Sequence, residues 1–159
     1  MRKLLNSLLF AVLALAAFSP AHAQVRTDLA IDRAQLQSDY QAIVALNMNV
    51  TDEQGKTFWP LYREYRGEIQ KVGDRMVELV LEYAKTVDTM TDEQSAKMLD
   101  NYLAIKKDEL KVRSAWVPKF RKALATKAVT RLYQIENKLD AMIMFSAATE
   151  IPLVQDVKK

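Results

Sequence analysis

The sequence predicts an all-α protein of four or so helices, two of them long and kinked, packed as an elongated hairpin or bundle. Three observations predict it. Helix breakers are scarce, with 3 Gly and 4 Pro in 159 residues. The segment Thr-Asp-Glu-Gln occurs twice, at Thr51–Gln54 and Thr91–Gln94, each time before a long apolar-periodic run. In that pattern the Thr hydroxyl accepts from the third helical N–H while the Gln side chain reaches back, which closes a capping box. Finally, apolar residues recur at alternating steps of three and four, the period of a helix packed along its length.

The chain opens with Arg2-Lys3, an apolar run to Phe18, then Ser19-Pro20-Ala21-His22-Ala23. A basic start, a short apolar core and a small-x-small close make a secretory signal, with cleavage expected after Ala23. The run falls short of the ~20 residues that a spanning helix needs. The expected organisation is a signal at 1–23, a frayed segment at 24–31, one helical domain at 32–149 and a tail at 150–159. The expected location is the periplasm, with no stable membrane insertion.

Each helix has its own evidence. A first helix is expected over Asp32–Asn47, with Leu36, Tyr40, Ile43 and Val44 on one side. The second is expected over Asp52–Val87. Its stripe is Phe58, Tyr62, Tyr65, Ile69, Val72, Met76, Leu79 and Tyr83, and its acidic first turn suits the helix dipole. Pro60 lies past that turn and predicts a kink near Lys56 to Phe58. The third helix opens at Thr91, with the stripe Ala96, Leu99, Leu103, Lys106, Leu110, Arg113 and Val117. Two charges on that line predict incomplete cover or a groove, and Pro118 predicts a kink or a split. The fourth runs from about Thr126 to Thr149 with Val129, Leu132, Ile135, Leu139, Met142 and Ile143, and Pro152 marks its end.

Residue types missing from the chain bound the chemistry. There is no Cys, and the one His, His22, leaves with the signal. The remaining chain lacks the usual ligands for zinc, copper or nickel, and also a Cys nucleophile or His base. No Gly-rich phosphate loop is present. The pairs Glu64/Glu68 and Glu78/Glu82 read as solvated helix faces, since their neighbours alternate in charge. No enzyme activity, cofactor or catalytic residue is expected.

Charge after signal removal is close to balanced, at +1, so nothing argues for a nucleic-acid partner. It is unevenly placed, with −5 over 24–96 and +7 over 97–138. Two uses fit. An acidic and a basic helix can pair, within a chain or across a dimer; or a basic surface can meet acidic proteins or anionic lipid.

Asn49-Val50-Thr51-Asp52-Glu53-Gln54 resembles the first LTxxQ motif of the Spy/CpxP group of periplasmic stress proteins, with Val50 in place of Leu. The region that would carry the second motif, Phe120 to Leu132, keeps Leu124 and Leu132 but has Ala125 and Ala128 where the family has Thr and Gln. The second Thr91–Gln94 copy follows Met90 and sits at the family's middle helix break. Phe58-Trp59-Pro60-Leu61-Tyr62 and Tyr133–Leu139 also look like stretches of uncharacterised exported bacterial proteins.

The Spy/CpxP resemblance implies a curved, thin helical homodimer without a conventional deep core. It implies binding of unfolded or stressed exported proteins without ATP, or inhibition of a sensor kinase. Zinc binding known in some relatives does not transfer, because its His and Cys ligands are missing. The sequence therefore predicts a chaperone-like protein or stress adaptor; the alternative is a structural or regulatory protein forming a fixed helical oligomer or binding one dedicated partner. Thr51, Gln54, Thr91 and Gln94 are expected to cap helices. The candidate partner-binding residues are Phe58, Trp59, Tyr62, Tyr65, Lys106, Arg113, Trp116 and Phe120. Met76, Met90, Met98, Met142 and Met144 offer adaptable apolar surface.

Overall fold

A computed structural model describes residues 39–154. The signal at 1–23, the segment 24–31, the first helix's start at 32–38 and the tail's last residues 155–159 lie outside the described residues. Those described form four helices and no strand. Helix α1 covers 39–47, α2 Asp52–Thr86, α3 Asp92–Ala123 and α4 Thr126–Glu150.

The boundaries follow local chemistry. At α2 the Gln54 N–H donates to Thr51 Oγ1 (3.3 Å) and the Thr51 N–H donates to Gln54 Oε1 (3.1 Å). At α3 the same pair, Thr91 and Gln94, closes at 3.2 and 2.9 Å. Both caps sit in extended backbone, which frees the side chain to turn back on the first turn. Helix α4 has no side-chain cap, because Ala125 holds that place.

Both long helices run on through their prolines, Pro60 and Pro118. The split allowed for at Pro118 does not occur, and α3 continues to Ala123 before a two-residue turn. Both prolines are exposed, so each ring sits on the solvent side and interrupts one bond of a long ladder.

Helices α2 and α3 form a long antiparallel hairpin. Helix α4 folds back along α3, parallel to α2, and α1 runs antiparallel to α4. Where all four meet, the core is aromatic: Phe58, Tyr62 and Tyr65 of α2 interleave with Trp116 and Phe120 of α3, closed by Val44, Met48, Leu124, Val129 and Leu132. Ring centroids stand 5.4 Å apart for Tyr65–Phe120 and 5.9 Å for Phe58–Phe120, edge-on or tilted as ring quadrupoles favour. Toward the α2–α3 turn, a smaller cluster of Val72, Leu79 and Ile105 takes over.

The α2 stripe faces inward as its period predicts, with Phe58, Tyr62, Tyr65, Ile69, Val72 and Leu79 buried. The α3 stripe does not. Leu99, Leu103 and Leu110 are 58%, 55% and 65% exposed, while Ile105, Trp116 and Phe120 are buried. On an ideal helix positions 98, 105, 112 and 120 lie within roughly 40° of Trp116, whereas the three leucines lie roughly 100–140° away. Burying two large rings gains more than burying leucines on an adjoining face, so the aromatics set the rotation of α3. The first half of the α4 stripe, Val129 and Leu132, is buried; Met142 and Ile143 are exposed. Between α2 and α3 an ion pair, Arg75–Asp108 (2.6 Å), places the cation on the acidic helix.

Candidate functional sites: a buried polar clasp and a methionine-lined groove

Most of the candidate partner-binding residues belong to the interior. Phe58, Tyr62, Tyr65, Trp116 and Phe120 are buried in the aromatic core, so they are not a docking face. Three helices cover this part of α2, which periodicity alone does not reveal. Trp59 is half-buried against Phe58, at 4.7 Å between centroids, and Tyr62, at 6.0 Å. Its indole lies over Gly55, where an added Cβ would stand 3.2 Å from ring atoms. Glycine one turn earlier thus makes room for the indole, while part of Trp59 stays exposed.

Lys106 and Arg113 do not line an open groove. Both bind Glu109, and Arg113 also bonds Asp140 and donates to the Tyr65 hydroxyl (3.2 Å). Tyr133 donates to the Arg113 carbonyl at 2.6 Å. The two charges on the α3 line are held by partners from their own helix and from α2 and α4.

These contacts are part of a network unmarked in the sequence reading. Glu136 of α4 is fully buried. It accepts from the Tyr62 hydroxyl (2.5 Å) and from the Arg66 guanidinium (2.8 Å). That guanidinium stacks 3.8 Å over the Tyr40 ring, and the Tyr40 hydroxyl donates to Asp140 (2.9 Å). All four helices are joined. The signal was available: Glu136 stands four residues after Leu132 and four before Asp140, so the acids continue the buried face of α4.

The electrostatics follow from burial. Burial raises the tyrosine pKa values, with the Glu136 carboxylate adding for Tyr62 and Tyr65, and Asp140 adding for Tyr40. Tyr133 is pushed up to about 12, chiefly by burial. Burial opposes the charge on Arg66, but the Glu136 carboxylate outweighs it and the pKa rises. Burial likewise works against ionised Glu109, and its bonds to Lys106 and Arg113 prevail, so its pKa falls. The tyrosines are neutral donors and the carboxylates acceptors, an arrangement that fastens helices. Among the described residues no group of three or more acids or histidines could hold a metal ion.

A different site opens near the α2–α3 turn. There α2, α3 and α4 enclose a groove of about 460 Å³. Its walls include Met76 and Tyr83 of α2, Met98 and Tyr102 of α3, Met144 of α4 and Met90 of the turn. Four of the five methionines singled out in the sequence converge here; the fifth, Met142, is exposed nearby on α4. The segment 151–154 runs along the rim. No helix among the described residues is long and apolar enough to cross a membrane.

Comparison with protein-family models, with curated proteins and with solved structures finds no match. One implication of the Spy/CpxP resemblance differs from what is seen, since a single chain here has an aromatic core of its own.

Proposed function

We propose that this chain is an exported, ATP-independent binding protein, chaperone-like or a stress adaptor, that holds apolar segments of other proteins without covalent chemistry. The observation that carries this reading is the methionine-lined groove. Thioether side chains are unbranched and polarizable, so one set of walls adapts to many apolar partners. The groove also stands apart from the aromatic core, so filling it leaves the four-helix clasp intact. Exposed Leu99, Leu103, Met142 and Phe145 extend the apolar surface around it. The secretory signal and the likeness to the Spy/CpxP group point the same way.

One observation favours a second reading. Leu99, Leu103 and Leu110 stand at the 4- and 7-residue steps of a coiled-coil seam and face outward. That face suits a permanent helical partner, either a second copy or a dedicated protein such as a sensor.

An aggregation assay with an unfolded client, without ATP, tests the first reading. Suppression at stoichiometric protein, weakened by Met98→Ser/Met144→Ser with unchanged helical content, is the expected result. No suppression, together with a dimer that dissociates on Leu103→Ser/Leu110→Ser, would replace it with the second.

A further inference from the structure

Methionine is not spread evenly over this chain. Of the six methionines among the described residues, Met76, Met90, Met98 and Met144 line the groove near the α2–α3 turn, Met142 lies beside it, and Met48 belongs to the aromatic core. Exposure divides them in the same way. Met142 and Met144 are 70% and 45% exposed, the other groove methionines are half-buried, and Met48 is 6% exposed. The remaining groove walls are aliphatic, with Tyr83, Tyr102 and Ser95 as the polar side chains.

Thioethers are the side chains here most open to two-electron oxidation. The chain has no Cys, and its one His is His22, outside the described residues, so thiolate and imidazole do not compete for the oxidant. We propose that the groove is a site of reversible methionine oxidation by hypohalous acid, with Met144 reacting first among its wall residues. The sulfur lone pair takes chlorine from hypochlorous acid and releases hydroxide. Water then adds its oxygen to the chlorosulfonium, and chloride and protons leave. In sum, thioether and HOCl give sulfoxide, chloride and one proton; sulfur loses two electrons and chlorine gains them. A dithiol reductant reverses the change, becoming a disulfide while the sulfoxide oxygen leaves as water. Each sulfoxide puts a strong acceptor on a wall with few donors, so apolar ligands lose their complement. Met76 and Met98 pack against Val72, Leu79 and Ile105, so their slower oxidation loosens this end of the hairpin. Met48 and the aromatic core are spared. The consequence for clients rests on the groove being the client site.

The test treats the full chain with sodium hypochlorite at about one equivalent per groove methionine and quenches with free methionine. Peptide mapping by mass spectrometry reads sulfoxide at each position, and anilinonaphthalene sulfonate fluorescence reads apolar surface. Sulfoxide should collect at Met142 and Met144 first and at Met48 last. Dye binding should weaken about threefold or more, and recover on incubation with methionine sulfoxide reductases A and B and dithiothreitol. Met76→Leu/Met90→Leu/Met98→Leu/Met144→Leu nearly keeps the wall volume and should bind dye equally before and after treatment, with sulfoxide at Met142 showing that the reagent acted. If that variant does not fold by circular dichroism, Met144→Leu alone, at an exposed position, should keep more dye than the unsubstituted chain at the same dose. Oxidation of Met48 as fast as Met144, or equal loss of dye by the leucine variant, overturns the proposal. Sulfoxide at Met144 with dye binding unchanged overturns any effect on the groove, and failure of the reductases to restore binding overturns reversibility. No dye binding by the untreated chain removes the apolar groove itself, and the proposal falls together with the chaperone reading. Dye loss on oxidation with undiminished suppression in the aggregation assay supports the oxidation site and places clients elsewhere, so the groove then fails as a client site alone.

Discussion

Glu136→Ala removes the one carboxylate among the described residues that the core encloses completely. Two groups lose their acceptor at once, the Tyr62 hydroxyl and the Arg66 guanidinium. Arg66 cannot turn out to water at little cost, because its side chain is only 15% exposed and lies over Tyr40. Its Nε is already buried without a hydrogen-bond partner among the described residues. Breaking a buried pair from one side leaves an uncompensated charge and costs about 3–5 kcal/mol. At about 4 °C per kcal/mol for a domain of this size, Tm should fall by about 12–20 °C. The comparison that isolates the charge is Arg66→Met with Glu136→Leu in a Tyr62→Phe background, which removes both ions, orphans no hydroxyl and keeps volume. That pair should come out near neutral, or even stabilising, because desolvation of the two ions is relieved together. Urea and thermal unfolding followed by circular dichroism, arranged as a double-mutant cycle, measure all the terms. A loss below about 1 kcal/mol for Glu136→Ala would refute the reasoning, since such a value belongs to an exposed pair that water already screens.

Gly67 and Gly73 lie inside α2 with nothing within 4 Å of an added Cβ, so Ala at each should raise stability by about 0.5–1 kcal/mol, seen as a higher urea midpoint. Thr51→Ala and Thr91→Ala each open a capping box and should cost about 0.5–2 kcal/mol; unchanged melting with lost client binding would make these residues ligands instead. Tyr40, Tyr62, Tyr65 and Tyr133 have pKa values raised above the ordinary 10. Their neutral forms are favoured in the folded state, so this contribution is whole below pH 10 and is lost as pH rises through the raised values. Alkaline titration of a Tyr83→Phe/Tyr102→Phe chain, which keeps only these four among the described residues, should therefore show tyrosinate absorbance and loss of helix together, and a gradual tyrosinate rise near pH 10 with the helices intact would contradict it. Glu109, with its lowered pKa, works in the opposite direction: its contribution is whole above about pH 4.5 and is lost as pH falls through the depressed value, so Glu109→Gln should flatten the acid limb of a stability profile.

What the sequence by itself determined is local in origin. The all-α class, the starts of α2 and α3 and the inward face of α2 depend on interactions within a few residues. A threonine caps its own first turn wherever the helix goes. A stripe of eight apolar residues at steps of three and four has no second solution on α2. Tertiary structure decided what depends on neighbours. Helix α3 carries leucines on one face and Trp116 and Phe120 on an adjoining one; only packing against Tyr65 and Phe58 settles which turns inward, and ring volume decides it. Glu136 reads as one more charge on a helix until Tyr62 and Arg66 arrive from a helix some seventy residues earlier. The candidate site divides along the same line. The aromatics proposed for binding went to the core, because three helices cover that part of α2. The methionines, expected only to offer adaptable apolar surface, line one groove because α2, α3, α4 and the α2–α3 turn bring four of them together. Periodicity fixes where a side chain stands on its own helix axis; what covers it is a property of the assembled chain.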